Sequence, residues 1–250
     1  MRKFIYRLRG LLALRIRKDF NFRRVQETIP AIRWLRPKRG ERILDIGCGE
    51  GSYNYRIGLQ GAYVLGFDLN RPQLRRAIDY HKTSSTSYFC ADAGILPLHS
   101  GQFDTVMSLC VFEHLQNDRD TLNEIWRVLR PGGRILLTLD SLTHKSIDDT
   151  WRDLHRKRHS VVQFYSHGSV AVLLEESGFK LNRYQYLLRS RFDLLLIRLS
   201  YTAEHMHTVP ATLIRLGLIS IGRMVSAVIN LFTENNRGWT LLVEASKESQ

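Results

Sequence analysis

Asp45, Gly47, Gly49 and Gly51 fall together in the stretch ILDIGCGEGSY, residues 43–53. An apolar run ends in an acid, and glycines follow at alternate positions. That is the composition of a strand turning sharply toward a helix, where bare backbone comes close to a ligand and points N–H groups at it. Two later apolar runs also end in acids, Asp68 in VLGFDLN and Asp92 in FCADAGILPL. A carboxylate at Asp68 can accept hydrogen bonds from both hydroxyls of a ribose. Each acid could cap its own strand, but three closing successive strands are better explained by one shared ligand. The dinucleotide fingerprint GxGxxG is not met: Ser52 stands at its third glycine position and the glycine comes one residue early, at Gly51. No tyrosine is followed four residues later by lysine, which argues against a short-chain dehydrogenase.

The elements that must position these residues alternate. Strand candidates are Arg42–Ile46, Tyr63–Asp68, Thr86–Cys90, Thr105–Cys110 and Arg134–Leu139, separated by helical patterns at Asn54–Leu59, Pro72–Tyr80 and Asp118–Leu129. Gly132-Gly133 after Pro131 marks a turn into the fifth strand. A helix over 166–178, with Ser166 as N-cap and Gly178 as stop, precedes strands at Phe179–Leu188 and Trp239–Ala245. The reading is an α/β chain: a Rossmann-like, doubly wound, mostly parallel seven-stranded sheet with helices on both faces, binding its ligand at the carboxyl ends of the strands.

The pattern acid-x-Gly-x-Gly-x-Gly resembles the first motif of class I S-adenosylmethionine (SAM)-dependent methyltransferases. VLGFDLN, FCADAGILPL, GQFDTVMSLCVFEHL and LRPGGRILLTL follow in the order and spacing of the methyltransferase type 11 branch, over roughly residues 40–140, and FYSHGSVAVLLEESGF and GWTLLVEASK extend the likeness more weakly. The resemblance implies a SAM cofactor. It implies that Gly47, Cys48, Gly49 and Gly51 let the backbone approach the methionine part and that Asp45 orients that loop near the cofactor ammonium. Asp68 takes the ribose, with Leu69 packing beside the adenine. Asp92 reads the adenine amino group and Ala93 offers its N–H to a ring nitrogen. Leu109 and Cys110 line the mouth where the methyl group is presented.

An oxygen nucleophile profits from a general base of near-neutral pKa. His114, in FEHL just past the fourth strand, is the first candidate, with a structural role at the start of the next helix as the alternative; Glu113 is the adjacent second choice. His155, His159, Tyr165 and His167 precede the helix that borders the acceptor pocket in similar enzymes. His155 and His159 have the i, i+4 spacing of a metal pair on a helix, but no third ligand is evident, and no metal is expected. His205 and His207 read as surface or lid residues. The Asn/Asp-Pro-Pro-Tyr signature of amino-group methylation is absent; SLCVFEHL stands in its place.

The net charge of +13 is concentrated at one end. Residues 1–42 hold fourteen Lys/Arg against three acids, leaving the other 208 residues close to neutral. This defines a basic amphipathic arm over 1–38, with a helical pattern at 4–16, ahead of a SAM-binding domain at 39–189 and 237–250. The arm suggests an anionic partner: a membrane surface, nucleic acid or a phosphorylated substrate. Arg7, Arg9, Arg15 and Arg17 break every apolar stretch of signal-peptide length, and no Ser or Thr precedes Thr28, so a cleaved leader is not expected. An apolar insertion at 190–236 contains a segment long enough to span a bilayer, but Arg215 and Arg223 sit inside it. A lid, an interfacial helix or a core-packed helical hairpin are the readings left open. Three cysteines, Cys48, Cys90 and Cys110, read as reduced and buried in a cytoplasmic protein.

The functional expectation is O-methylation of a small or lipid-linked acceptor (a glycolipid, a quinone-like ring or a polyprenyl-linked sugar) by a protein peripheral to the inner face of a membrane. Residues 1–24 and 190–236 would meet the anionic surface. An RNA methyltransferase using the basic arm and a non-catalytic SAM-fold interaction protein are the alternatives.

Overall fold

The computed structural model describes residues 22–203 and 209–248. In chain order the elements are α1 (Phe22–Leu35), β1 (Arg42–Ile46), α2 (Ser52–Gly58), β2 (Tyr63–Asp68), α3 (Arg71–His81), β3 (Thr86–Cys90), β4 (Phe103–Leu109), α4 (Asp118–Val128), β5 (Leu129–Asp140), α5 (Asp149–His159), α6 (His167–Glu176), β6 (Phe179–Leu187), α7 (Arg191–Ala203), α8 (Val209–Leu231) and β7 (Thr240–Lys247), with a 3-10 turn at Phe112–His114. The sheet has seven strands in the order β3-β2-β1-β4-β5-β7-β6. β1 to β5 run parallel and β7 runs antiparallel to both its neighbours. The order reverses between β1 and β4, which opens the crevice where such sheets take their ligands.

β1 is buried on both faces because helices cover both. Leu44 and Ile46 point into a cluster with Val106, Ile125 and Leu137, while Ile43 points the other way, to Val64, Met107 and Leu136. α1 closes that second face with Ala31 and Leu35. Arg134, near the middle of β5, donates to the terminal carbonyls of Trp34 and Leu35, so the last turn of α1 is capped by a strand residue. α4 begins at Asn117, whose side chain accepts the Asp120 N–H at 3.2 Å, and buries Leu122, Ile125 and Val128 along one stripe. Ser166 caps α6 in a reciprocal box with Ser169, and Gly178 turns the chain at φ +79°.

Two details differ from the sequence reading. Pro131-Gly132-Gly133 does not precede β5 but lies within it, as an irregularity opposite Phe103–Thr105. Cys90 is exposed, because β3 is the edge strand; Cys48 and Cys110 are buried, and all three are free thiols. The helical spacing of His155 and His159 belongs to α5, which extends back to Asp149.

Part of the stretch read as an arm is α1, which packs on the sheet. The helix expected over 4–16, and His205 and His207, lie outside the described residues. The insertion forms α7 and α8. α7 sends Leu194, Leu196, Ile197 and Tyr201 into a cluster with Trp151 and Trp239. Among the described residues, no helix is long and apolar enough to cross a membrane.

Candidate functional site

β1 delivers the buried Asp45 to the carboxyl edge, and the chain then turns through the glycines. Gly47 has φ +69° and Gly51 φ +72°. A Cβ at Gly47 would collide with the Val111 side chain, and one at Gly51 would stand 2.5 Å from the Tyr88 hydroxyl. Only glycine satisfies both the backbone conformation and the space. Cys48 ties the loop to β2, its N–H donating to the Phe67 carbonyl at 2.9 Å.

Asp68, at the end of β2, joins two loops. Its Oδ2 accepts the Gly49 N–H at 2.9 Å and its Oδ1 accepts the Asn70 N–H at 2.8 Å. A carboxylate oxygen offers two lone pairs, so each retains one for a further donor. Asp92, past the end of β3, is exposed; its Oδ1 accepts the Gly94 N–H at 2.8 Å, beside the buried Ala93. Leu69 and Ile95, on the loops after these adjacent strands, are 66% and 80% exposed. Ile95 was not singled out from sequence. A nucleoside fits this donor set: carboxylates for its hydroxyl and amino groups, apolar side chains for its ring, and a glycine cradle that any Cβ would fill.

The mouth of β4 lies next to it. Leu109 ends the strand, and Cys110 follows with φ +56°, a left-handed conformation uncommon outside glycine, its N–H held by the Thr138 carbonyl at 3.0 Å. The 3-10 turn then points its side chains in opposite directions. Glu113 faces inward at 1% exposure, with Oε2 making no hydrogen bond. Burial, reinforced by nearby Asp140, pushes its carboxyl well above the usual range. His114 faces solvent, with Nδ1 3.2 Å from the Ser160 carbonyl. A carbonyl can only accept, so Nδ1 carries the proton and Nε2 is left as the acceptor.

Behind this mouth lies a buried polar network that sequence reasoning missed. Asp140, the last residue of β5, lies 3.4 Å from Arg23 of α1 and 2.6 Å from His155 Nε2. The Tyr201 hydroxyl of α7 lies 3.0 Å from His155 Nδ1, within hydrogen-bond reach. Glu27 of α1 accepts from Thr240 at 2.7 Å and from the Cys110 thiol at 3.4 Å. Burial alone would raise the Asp140 carboxyl, but the Arg23 guanidinium and the His155 hydrogen bond outweigh it and hold it at about 2. Burial works against charge on Arg23 as well, yet Glu27 and Asp140 raise it above the ordinary arginine value. The available signal was Asp140 itself, an acid closing a strand as Asp45 and Asp68 do.

The remaining expected residues scatter. Both ring nitrogens of His155 are engaged, which leaves none for a metal. Burial, with Arg23 next, lowers His159 to about 3, so it is neutral. Among the described residues no group of three or more His, Cys, Asp or Glu could hold a metal ion. Tyr165 holds the 3-10 turn through the Phe112 carbonyl at 3.2 Å and Asp118 at 3.0 Å. His167 stacks on Tyr184 of β6, ring centroids 3.9 Å apart.

Residues 44–137 match the family model described as a methyltransferase domain. The chain is 33% identical over 129 residues to a malonyl-[acyl-carrier protein] O-methyltransferase of Enterobacter lignolyticus, half of each chain. It is 26% identical over 158 residues to a ubiquinone biosynthesis O-methyltransferase of Aromatoleum aromaticum, 56% of this chain and 64% of that one. The alignments therefore span about half to two-thirds of these relatives. The fold superimposes on a SAM-dependent methyltransferase from Mesorhizobium loti with a TM-score of 0.62 at 21% identity, covering 87% of this chain and 96% of that one. Glycine loop, strand order and family match agree on a class I SAM-dependent methyltransferase domain over residues 44–137.

Proposed function

We propose that the protein methylates an oxygen of a small or lipid-linked acceptor (a glycolipid, a quinone-like ring or a polyprenyl-linked sugar) at the inner face of a membrane. The observation that carries the methyl-transfer reading is the Asp68 clasp on the glycine loop, with the His114 turn opening beside it on the next strand of the sheet. SAM, when bound, supplies an electrophilic methyl group on a sulfonium centre. Gly47, Cys48, Gly49 and Gly51 bring backbone to its amino-acid end, with Asp45 behind them. Asp68 takes the ribose hydroxyls, and Asp92, Ala93 and Leu69 take the base. Leu109 and Cys110 form the wall past which the acceptor enters.

His114 Nε2 receives the acceptor hydroxyl proton. Glu113 does not suit that task, because its carboxyl is buried and burial disfavours the charged form a base would need. Both curated relatives described above are named as O-methyltransferases, which supports an oxygen acceptor. Arg23 of the basic stretch is buried with Glu27 and Asp140 and is withdrawn from any RNA phosphate.

The test is transfer of labelled methyl from SAM to lipid extracts by the full chain, with label counted in the organic phase. Labelled lipid is expected, with turnover lowered about 10²–10⁴-fold in His114→Gln and binding of S-adenosylhomocysteine unchanged. Tight homocysteine-nucleoside binding with no label in any lipid fraction would overturn the acceptor; no binding by folded protein would overturn the cofactor.

A further inference from the structure

α8 is mounted with its polar side inward. Ser226 is fully buried and donates to Asp193 Oδ1 of α7, Asn230 Nδ2 donates to Asp193 Oδ2 at 3.0 Å, and Gln26 Nε2 of α1 donates to Ser226 Oγ at 2.9 Å. Gly222 brings the helix against Leu196 and Phe22. The outward side is apolar: Ile221, Met224, Val225, Val228 and Leu231 recur at intervals of three and four, a single stripe, with Met224 73% exposed. A helix that meets only water has the opposite arrangement, because a contiguous exposed apolar stripe is unfavourable in water.

The stripe leads into a basic cavity. Phe232, 87% exposed at its end, helps to line a pocket of about 350 Å³ that also contains Lys145, Arg189, Arg191 and Arg237. Glu234 is the one acid in the wall. Arg189 donates to the Asn230 and Thr233 carbonyls, which closes the C-terminal end of α8 and fixes the pocket to the helix. Burial and then Arg191 lower His144, a further wall residue.

Apolar stripe and cationic pocket are complementary to one kind of partner. We propose that this face docks on an anionic membrane, with a lipid phosphate held by Arg191, Arg237 and Lys145 and the α8 stripe lying in the boundary between headgroups and acyl chains. The charge pattern disfavours the other occupants. Residues 1–21 carry seven Lys/Arg and one acid, so their charge matches that of the pocket. A second copy of the chain, related by a two-fold axis, would bring cation to cation. The inference rests on the membrane-surface half of the proposed function and is independent of its chemistry.

The test is co-sedimentation of the full chain with vesicles of phosphatidylglycerol and phosphatidylcholine, against vesicles of phosphatidylcholine alone. Two variants change exposed residues only: Met224→Gln with Val228→Gln, and Arg191→Gln with Arg237→Gln. Wild type is expected on the anionic vesicles and not on the neutral ones. The arginine pair is expected to weaken that binding by roughly 25-fold, about fivefold per charge, and the stripe pair to weaken it as well. S-adenosylhomocysteine binding by calorimetry is expected to be the same in all three proteins, which separates failure of docking from failure of the cofactor site. Wild type absent from anionic vesicles, binding unaffected by either variant, equal binding to neutral vesicles, or a lipid-independent dimer dissolved by the stripe pair would each overturn the proposal.

Discussion

Replacing Asp68 by alanine should remove most of the affinity for S-adenosylhomocysteine. The carboxylate already holds two backbone N–H groups, one through each oxygen, and each oxygen keeps a lone pair for a further donor. A ribose diol would add two charge-assisted hydrogen bonds at about 1.5–3 kcal/mol each, so roughly 3–6 kcal/mol leaves with the side chain. That is a loss of about 10²–10⁴ in Kd. The same substitution orphans the Gly49 and Asn70 N–H groups, both partly open to water, and costs the fold about 1–3 kcal/mol, a fall of roughly 2–12 °C in Tm. Isothermal titration well below that midpoint, with circular dichroism to verify the fold, separates the two effects. Asp68→Asn should fall between, about 10- to 100-fold weaker, because its amide nitrogen faces one of the two N–H donors and the charge is lost. An alanine variant that stays folded and binds within about threefold of wild type, less than 1 kcal/mol, would refute the ribose role and leave Asp68 only as a loop tie.

Gly47→Ala forces a left-handed β-carbon-bearing residue, at about 1–2 kcal/mol, and drives a methyl into Val111; titration should show binding at least about tenfold weaker, with part of it recovered by Val111→Ala, which relieves the contact but not the backbone strain. Glu113→Gln should change turnover near neutral pH by less than about threefold, because burial disfavours the charged carboxylate and glutamine keeps the shape of the uncharged form; a large loss would return Glu113 to the role of base. Arg23→Met leaves Asp140 and Glu27 buried beside a neutral side chain and should cost about 3–5 kcal/mol by urea unfolding. Asp140 is held at about 2 against an ordinary 3.8, so its pairing stabilises the fold above that ordinary value and is lost as pH falls toward about 2. The gap between wild type and Arg23→Met should therefore narrow as pH falls through that window, and a gap constant with pH would count against the pairing.

The sequence was most legible where one local pattern has one structural solution. A buried parallel strand that ends in an acid and turns through alternate glycines needs no distant partner to be recognised; Asp45 and Asp68 lie on strands where their apolar runs ended, and Asp92 lies two residues past the end of its strand. Ser166 and Gly178 bounded their helix for the same reason, since a cap and a left-handed stop are made within a turn of the residues that need them. Distant pairings were not legible. Arg23 looked like one more charge in a basic arm, but Asp140, 117 residues away, turns it into a buried counter-ion. His155 and His159 looked like a pair at helical spacing, but β5 and α7 take both nitrogens of the first.

What the sequence determined by itself was the framework of β1, the glycine turn and β2, because strand periodicity and glycine conformation are set within a few residues of each other. Only the tertiary structure decided the surroundings of the 3-10 turn and of α8: which side of the turn Glu113 and His114 face, which charges are buried, and that α8 turns its polar side inward against Asp193 and Gln26. Those outcomes depend on contacts between elements far apart in the chain, and a helix with both a polar and an apolar side does not state in its own sequence which of them will meet the protein.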